Sequence, residues 1–299
     1  MQNAKAFIII LNYNTWPDTV GCLESVFKTN YENYEVVVVD NKSENDSVEK
    51  LREWQAKKNN RFTLLTSDKN MGFAGGNNLG LKFALEKNDF EYVWLLNNDT
   101  VVAEDALSAL VEKAKQLKSF GKKPGILGGK VLMYGEKERI QSFGGRYNKW
   151  LATVRQAGSL KREDAVREQD LKVDYVNGAA MFVTKEYLKD VGLMDERYFL
   201  YFEELDWTLA GRKKGFETAV CSECRVYHKH GKTLGSGLTA LKRSELADYY
   251  GIRNRIVFTR KHYPEALFTV YLGLVGVFLK RLLIGKAGVF IQAVRGAKK

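Results

Sequence analysis

The stretch VWLLNNDTVV (93–102) places one carboxylate between amides where an apolar run ends. Asn97, Asn98 and Asp99 interrupt that run, and no pair of histidines lies nearby in the sequence. This oxygen-rich environment suits Mg²⁺ or Mn²⁺, which keep several waters and take further ligands from phosphate groups. The alternative is a turn with a helix cap, because Asn, Asp and Thr all favour turns.

A second set of acids lies among aromatic residues in DERYFLYFEELDWTLAGRKKG (195–215). Carboxylates close to apolar rings can have raised pKa values, which suits a general base. Glu203, Glu204 and Asp206 are the candidates in this stretch. The alternative is the charged start of a helix, where the macrodipole favours acidic side chains.

A glycine-rich turn in DKNMGFAGGNNLGLKFAL (68–85) precedes a predicted helix near 77–87. Glycines let backbone N–H groups approach an anion, and the N-terminus of a helix favours negative charge. The pattern is neither a GxGxxG motif nor a Walker A motif. As an alternative, Asn70, Asn77 and Asn78 serve only as helix caps.

Alternating strands and helices must position these three stretches. Apolar, β-branched runs predict strands at 6–13, 34–40, 62–66 and 91–97. Helical patterns lie between or after them, from Pro17, at 46–58, near 77–87 and at 103–117. This alternation predicts an α/β fold with a mostly parallel central sheet flanked by helices. We expect mixed strands and loops from about 120, one domain over 1–240, and a helical segment over 241–299.

Polar residues follow three of these predicted strands, at Asn12 and Asn14, at Asp40 and Asn41, and at 97–99. Ligands of open parallel sheets bind beyond the carboxyl ends of the strands. The sequence therefore predicts a polar cleft along this edge of the sheet.

Composition narrows the choice of partners. The 299 residues carry a net charge of +11, which favours an anionic partner such as nucleic acid, a phosphorylated ligand or acidic lipid. Nucleic acid is disfavoured because basic and acidic residues are interspersed and no nucleic-acid-binding signature occurs. The three cysteines form no disulfide framework, and the apolar N-terminal run has the length of a strand rather than of a signal peptide. We therefore expect a cytoplasmic protein.

Six segments, in this order, resemble the family 2 glycosyltransferases of the GT-A fold, especially their bacterial rhamnosyltransferase-like branch. The segments are IIILNYNTWPDTVGCLESV, VVVVDNKSENDS, NMGFAGGNNLG, WLLNNDTVV, VNGAAMFVTKEYLKDVGLMDERYFLYFEELDW and VYHKHGKTLGSG. The likeness runs from residue 5 to about residue 260. Any one segment is a weak signal, but six in register are highly specific.

The resemblance implies a role for each matching position. Asp99 matches the metal-binding acid of the family's DxD motif, with Asn97 in place of the usual first Asp, and His228 matches a histidine near the metal. Glu203 and Glu204 match an acid pair whose second member is the catalytic base, and Asp206 is the supporting acid and second choice. Positions that match the nucleotide-sugar pocket are Asn12, Asn14, Asp40, Asn70, Gly72, Phe73, Asn97 and Asn98.

These roles imply an inverting, Mg²⁺- or Mn²⁺-dependent transfer from a nucleotide-diphosphate sugar, either dTDP-rhamnose or a UDP-sugar. The implied acceptor is a glycan or a lipid-linked molecule in surface polysaccharide synthesis, such as lipopolysaccharide O-antigen or a cell-wall glycan. The alternative is an inactive sugar-nucleotide or glycan-binding module of the same fold. Such a module would need to lose Asp99 or the acids at 203–206, and this sequence keeps both.

The segment CSECRVYHKH (221–230) allows a different reading as a structural zinc site. Its ligands would be Cys221, Cys224, His228 and His230. A single CxxC is weak evidence, and the family resemblance already gives His228 another role.

The C-terminal stretch 266–299 contains six basic residues and no acidic one. Its uncharged run from Ala266 to Leu279 is shorter than the about 20 apolar residues that a membrane-spanning helix needs. We therefore expect a helix lying on the inner face of the cytoplasmic membrane, attracted by anionic lipid. The alternative is that the apolar face packs on the catalytic domain or on a second subunit of a homodimer.

Overall fold

The structure is a computed structural model that describes residues 4–59, 61–229 and 244–298. Its strands are β1 (Ala6–Asn12), β2 (Tyr34–Asp40), β3 (Thr63–Thr66), β4 (Tyr92–Asn97), β5 (Thr100–Val102), β6 (Pro124–Met133), β7 (Ile140–Ser142), β8 (Gly145–Asn148), β9 (Thr153–Gln156), β10 (Ala180–Thr184) and β11 (Glu217–His228). Its α-helices are α1 (Trp16–Val26), α2 (Ser47–Lys57), α3 (Gly72–Lys87), α4 (Ala106–Ser119), α5 (Lys185–Val191), α6 (Glu203–Arg212), α7 (Glu245–His262), α8 (Leu267–Leu283) and α9 (Ala287–Gly296).

The central sheet has the strand order β3-β2-β1-β4-β10-β6-β11-β5, with β7 paired to β6. β1 to β4 run parallel, as the sequence predicts. β10 is antiparallel to both of its neighbours, and β11 runs parallel to β6. The α/β fold is confirmed, but the sheet is mixed beyond β4, because a buried apolar run does not encode the direction of its strand.

Helices cover both faces of the sheet. Successive residues of a strand point to opposite faces, so Ile8 and Ile10 pack with Leu23 of α1, whereas Phe7 and Ile9 pack with Leu81 of α3. The strands therefore need apolar residues at nearly every position, which is the pattern read from the sequence. The apolar layers on the two faces of the sheet hold the strands in place, and so they also position the loops that follow the strand ends.

One predicted boundary was wrong, and one strand was not predicted. α3 begins at Gly72 rather than near residue 77, so Asn77 and Asn78 lie inside the helix and are not caps. Asn78 is buried and bonds the backbone N–H and C=O of Met194, which ties α3 to the chain before α6. A short strand, β5, was not foreseen; it pairs antiparallel with β11 and places His228 opposite Thr100.

The C-terminal helices pack on one another and on the segment before α6. Ile252 and Ile256 of α7 share an apolar cluster with Val270 and Leu274 of α8. A buried ion pair also joins these helices, with Arg281 Nη2 lying 2.5 Å from Asp248 Oδ1. α8 is thus held against α7 by both apolar and ionic contacts.

Among the residues that the structure describes, Pro264–Leu283 is the one helical stretch long and apolar enough to cross a membrane. Only 22% of its apolar window is buried inside the protein. Apolar residues continue beyond Lys280 and Arg281 to Leu283, so these two charges do not end the apolar stretch. The expectation that this helix is too short to span a membrane is therefore not supported by its length and composition.

Candidate active site

The carboxyl ends of β1, β2 and β4 meet at one edge of the sheet. Asn12 lies opposite Asp40, and Leu11 lies opposite Asn97. Asn12 Nδ2 donates to Asp40 Oδ2 at 2.7 Å. This edge gathers the three polar strand ends as the sequence predicts.

Hydrogen bonds inside the protein engage several of these polar groups. Asn98 Nδ2 donates to the hydroxyls of Thr15 at 2.7 Å and Thr19 at 2.9 Å. The Asp40 carboxylate accepts from the backbone N–H of Ser43 at 2.9 Å and from its hydroxyl at 2.6 Å. These buried groups hold the loops after β1, β2 and β4 together. Sequence reasoning missed Thr15, Thr19 and Ser43, whose small hydroxyl side chains give no distinctive signal outside the fold.

Asn14 ties the end of β1 to the loop after β2. Its φ of 58° is left-handed, a conformation that Asn tolerates better than most residues. Its Oδ1 accepts from the backbone N–H of Glu44 at 2.7 Å, and its own N–H donates to the Ser43 hydroxyl at 2.8 Å. Asn14 therefore fixes the shape of the edge next to Asp40.

Asn41 holds the glycine-rich turn. Its amide nitrogen donates to the carbonyl of Gly72 at 2.9 Å, and its oxygen accepts from Met71 N–H at 3.0 Å. Asn70 Oδ1 accepts from Gly72 N–H at 2.9 Å, and Phe73 N–H donates to the Phe199 carbonyl at 2.6 Å. The backbone N–H groups of Gly72 and Phe73, the first two residues of α3, are therefore bonded within the chain. The glycine-rich pattern instead predicts that such groups face an anion.

Gly72 allows the turn to contact the aromatic segment before α6. Its φ is +69°, and a Cβ at this position would lie 2.3 Å from the Phe199 carbonyl oxygen. Phe73 also approaches Gly178, since its Cζ would lie 3.7 Å from a Cβ there. The neighbouring Ala179 carbonyl accepts from Asn97 N–H at 3.0 Å. A continuous chain of contacts therefore runs from the segment before α6 to Asn97.

Asp99 and His228 form a buried pair where β5 meets β11. His228 Nε2 lies 3.0 Å from Asp99 Oδ1, and His228 Nδ1 lies 3.1 Å from Gln141 Oε1. A partner on the second ring nitrogen is how proteins orient a metal-binding imidazole. Gln141 was missed by sequence reasoning, because it reaches His228 only through the pairing of β7 with β6.

The pair fits a hard divalent cation as a partial ligand set. An oxygen from Asp99 and a nitrogen from His228 suit Mn²⁺, and Asp99 suits Mg²⁺. Among the described ranges, no group of three or more His, Cys, Asp and Glu side chains forms a fuller site. The remaining ligands would come from water and phosphate oxygens, which is common for these ions.

Glu203 and Glu204 begin α6; the Glu203 side chain is buried and the Glu204 side chain is half-buried. The Oε2 atom of each is buried with no hydrogen-bond partner among the described residues. Burial raises the pKa of Glu204 to about 7. Burial, followed by the charge of Glu204, also raises the pKa of Glu203 well above its usual range. A carboxyl group that titrates near neutral pH is suited to accepting a proton.

Asp206 faces a different set of partners. Its Oδ1 accepts from the Tyr198 hydroxyl at 3.0 Å and lies 2.6 Å from His262 Nε2, and Lys261 Nζ lies 2.8 Å away. Burial alone would raise the pKa of Asp206, but the hydrogen bonds from His262 and Lys261 outweigh it and lower the pKa. Asp206 is therefore a fixed anion that joins α6 to α7.

Cys221 and Cys224 do not lie close to His228, as a structural zinc site would require. Cys221 and Cys224 are buried in the apolar layer beneath α4, whereas His228 lies at the far end of β11 against Asp99. His230 lies outside the described residues. Burial raises the pKa of the Cys221 thiol to about 12, which opposes the thiolate form that binds zinc.

Comparison with known proteins assigns the chain to a protein family. Residues 7–190 match the model of the family described as "Glycosyl transferase family 2". The low-salt glycan biosynthesis hexosyltransferase Agl10 of Haloferax volcanii is 24% identical over 222 residues, which cover 74% of this chain and 66% of that protein. The dTDP-rhamnosyl transferase RfbF of Shigella flexneri is 21% identical over 277 residues, which cover 90% of this chain and 84% of that protein.

Solved structures share the fold at low sequence identity. A mannosyltransferase from Pyrobaculum calidifontis, in complex with GDP-Man and Mn²⁺, is 14% identical with a TM-score of 0.59, covering 99% of this chain and 86% of that chain. S. aureus TarS 1–349 in complex with UDP-GlcNAc is 18% identical with a TM-score of 0.57, covering 97% and 81%. More than half of the chain matches the family model, and the chain belongs to glycosyl transferase family 2.

Proposed function

We propose that this protein transfers a sugar from a nucleotide-diphosphate donor to a hydroxyl acceptor, with inversion at the anomeric carbon. The observation that supports the proposal is the chain of contacts that links Phe199, shortly before Glu203 and Glu204, through Phe73 to the backbone that bonds Asn97. In this proposal, the acid that accepts the proton and the partial cation site act on the same bound donor and acceptor. The two relatives named as a hexosyltransferase and a dTDP-rhamnosyl transferase support the same reaction class.

Glu204 is the base in this mechanism. Its carboxylate takes the proton from the acceptor hydroxyl, and the hydroxyl oxygen attacks the anomeric carbon from the face opposite the leaving group. The bond between that carbon and the diphosphate oxygen breaks, and its electron pair leaves with the nucleotide diphosphate. A hydrogen bond from the neighbouring Glu203 lowers the pKa of Glu204 and so limits the rise that burial causes.

Asp99 and His228 would hold the divalent cation. When bound, Mg²⁺ or Mn²⁺ offsets the negative charge that develops on the departing diphosphate. The structure of the Pyrobaculum calidifontis mannosyltransferase with GDP-Man and Mn²⁺ supports the requirement for a cation. Asn12, Asn14, Asp40, Asn70, Gly72, Phe73, Asn97 and Asn98 shape the donor pocket in this proposal. Asp40 and Asn98 act largely through the loops that they hold.

A screen of nucleotide sugars tests the proposal. UDP-, GDP- and dTDP-sugars are added with Mn²⁺ or Mg²⁺, and melting temperature and release of nucleotide diphosphate are measured, because selective binding stabilises the folded state. We expect one donor class, UDP- or dTDP-linked, to stabilise the protein and to be turned over. Stabilisation without turnover, identical in wild type and Glu204→Gln, would instead favour the non-catalytic binding module.

We further propose that the enzyme acts at the inner face of the cytoplasmic membrane on a lipid-linked or glycan acceptor of surface polysaccharide synthesis. α8 exposes a row of apolar side chains along one face, here called the α8 stripe. The stripe consists of Phe268, Tyr271, Leu272, Val275, Leu279, Leu282 and Leu283. Trp150, 48% exposed, lies beside it, because Thr269 of α8 donates to the Trp150 carbonyl at 2.6 Å. An exposed Trp is typical of membrane-interface anchors.

Charge favours lipid over protein as the partner of this stripe. Lys280 in α8, Arg295 in α9 and Lys298 are exposed, and residues 266–299 contain no acid. Each such residue near an anionic leaflet contributes about 1 kcal/mol. Arg281 does not contribute, because it is buried against Asp248. That ion pair and the packing on α7 favour a helix that lies on the membrane surface.

Vesicle flotation tests the membrane proposal. The full chain should float with vesicles that contain anionic phosphatidylglycerol and less with neutral phosphatidylcholine vesicles. Leu272→Ser combined with Leu279→Ser should lower flotation, whereas Phe120→Ser, at an exposed apolar side chain distant in sequence from α8, should not. If both variants float like wild type, or the wild type does not bind, the membrane role is wrong. A monomer–dimer difference between the variants would assign the stripe to a homodimer.

A further inference from the structure

Three of the five residues before α6 adopt a backbone conformation that few side chains favour. Phe199, Tyr201 and Phe202 have φ values of 60°, 68° and 76°. Such a conformation is unfavourable for residues other than glycine and persists only where the surrounding structure holds it. Residues 198–202, here called the catalytic approach, lead directly into Glu203 and Glu204. Something outside this segment must therefore hold it in place.

Asn254 of α7 bonds three carbonyls of the catalytic approach. Its Nδ2 donates to Tyr198 O at 2.8 Å, to Leu200 O at 2.8 Å and to Tyr201 O at 2.9 Å. An amide nitrogen has two hydrogens, so one of them is shared between two carbonyls. Arg253 Nη1 donates to Asn254 Oδ1 at 2.7 Å, which fixes the orientation of the amide. Only a donor at this position can satisfy carbonyls that converge on one buried point.

Two aromatic residues on the same face of α7 also pack on the catalytic approach. The Tyr250 ring stacks on Phe199 at 4.7 Å between centroids, and Phe258 packs on Phe202 at 5.5 Å. These residues and Asn254 recur every four positions, as expected of one helix face. Asn254 is therefore the polar centre of an otherwise aromatic contact.

We infer that Asn254 is a positioning residue for the Glu203–Glu204 pair. It holds the catalytic approach in its left-handed conformation, and that conformation sets where α6 begins and how its first two carboxyl groups are buried. The inference rests on the proposed function for its kinetic consequences. It also means that α7, which lies beyond the family match of residues 7–190, belongs to the catalytic machinery of this chain.

Asn254→Leu tests this inference, because leucine has a similar volume but cannot donate. The matched control is Thr259→Val, a buried residue of the same helix whose hydroxyl donates to the Arg255 carbonyl at 2.7 Å, within the helix. Both variants are compared well below their melting temperatures. Measurements are hydrogen exchange of residues 198–204, kcat, KM for the donor, and the pH dependence of kcat/KM.

We expect Asn254→Leu to speed hydrogen exchange in residues 198–204 and to lower kcat by about 10²-fold, as displacements of about 1 Å do in active sites. Its acidic kinetic limb should move to lower pH, because looser packing lets water reach Glu204. Tyr175, Asp206, Lys261 and His262, which also face the pair or its segment, are not substituted, whereas Arg253 loses its bond to Asn254 Oδ1 and keeps its bond to the Arg197 carbonyl. Thr259→Val should show none of these effects, and Asn254→Ser, which keeps one donor, should lie between.

Loss of stability alone would overturn the inference. If Asn254→Leu lowers the melting temperature but leaves kcat, KM, the pH limb and exchange at residues 198–204 as in Thr259→Val, Asn254 has only a general structural role. If Asn254→Leu does not fold, Asn254→Ser decides by the same measurements. If the wild type transfers no sugar, the proposed function is wrong, and the exchange comparison alone still shows whether Asn254 holds the catalytic approach.

Discussion

Asp206 Oδ1 lies 2.6 Å from His262 Nε2, and this contact separates the roles of the acids in α6. Asp206 is committed to His262, Lys261 and the Tyr198 hydroxyl. Glu204, two residues earlier, keeps a buried oxygen with no partner among the described residues. Two acids on one helix turn therefore have opposite environments, one that stabilises the anion and one that opposes it.

Replacement of the proposed base should remove catalysis while leaving the donor site intact. Glu204→Gln keeps the size of the side chain but cannot take a proton, so transfer should fall by about 10²–10⁴-fold. Donor affinity, measured by calorimetry, should stay near that of wild type because the base serves the acceptor. Asp206→Asn is the comparison, and it should mainly lower stability. Normal transfer by Glu204→Gln together with inactive, folded Asp206→Asn would reverse the two roles.

The pH dependence of activity should report Glu204. Burial raises its pKa to about 7, so kcat/KM should rise as pH increases through about 7 and the carboxyl group loses its proton. The measurement is the rate of nucleotide diphosphate release at saturating Mn²⁺ over a pH series.

Stability should change in the opposite direction. The folded state binds this proton more tightly than the unfolded chain, whose Glu has a pKa of about 4.3. The resulting stabilisation is present below about pH 4.3 and is lost as pH rises through about 7. Glu204→Gln should flatten this part of the curve of melting temperature against pH. An acidic kinetic limb near pH 4 would contradict the buried, protonated state.

Asp99→Ala should abolish cation binding and transfer without unfolding the protein. The expected readout is the loss of Mn²⁺-dependent stabilisation in thermal melts, and of bound Mn²⁺ by electron paramagnetic resonance. Gln141→Leu should weaken Mn²⁺ affinity by about 10–100-fold, because it removes the group that orients His228. Asp190→Ala, at a surface ion pair with Lys123, is the control. Full activity of Asp99→Ala in the presence of EDTA would rule out the assignment.

Gly72→Ala and Gly121→Ala separate backbone strain from contact. Both glycines have φ near +70°, but a Cβ at Gly121 meets nothing within 4 Å, whereas one at Gly72 meets the Phe199 carbonyl. Gly121→Ala should cost about 1–2 kcal/mol, the penalty of the left-handed conformation. Gly72→Ala should cost more and should also lower donor turnover, since α3 and the catalytic approach must separate. If both variants lose the same free energy of unfolding in urea and turnover is unchanged, the contact between Gly72 and the Phe199 carbonyl is unimportant.

Asp248→Asn should destabilise the chain by about 3–5 kcal/mol, because it leaves Arg281 buried without its countercharge. Asp248→Leu combined with Arg281→Met should recover most of that loss, since it removes both charges. Urea unfolding followed by circular dichroism gives the free energies. If the variants unfold in a single transition at a lower urea concentration than wild type, α8 unfolds together with the catalytic domain. A separate early transition would show that α8 is an independent appendage.

Sequence alone determined the four parallel strands β1 to β4 and the family to which the chain belongs. The apolar runs around Ile8, Val37 and Leu95 gave strands, because residues buried on both faces of a sheet must be apolar at nearly every position. The polar residues that end those runs marked the edge where Asn12, Asp40 and Asn97 meet. Six motifs in register then gave the family, which the match over residues 7–190 confirms.

Tertiary structure decided everything that depends on partners far apart in the chain. The sequence shows Glu204 and Asp206 as similar acids, and only the packing of α7 makes one an ion-paired anchor and leaves the other buried with a raised pKa. Asn254 carries no motif, because its role depends on three carbonyls more than fifty positions earlier in the chain. The reason is physical: burial and long-range hydrogen bonds set pKa values and backbone strain, and neither is encoded in local periodicity.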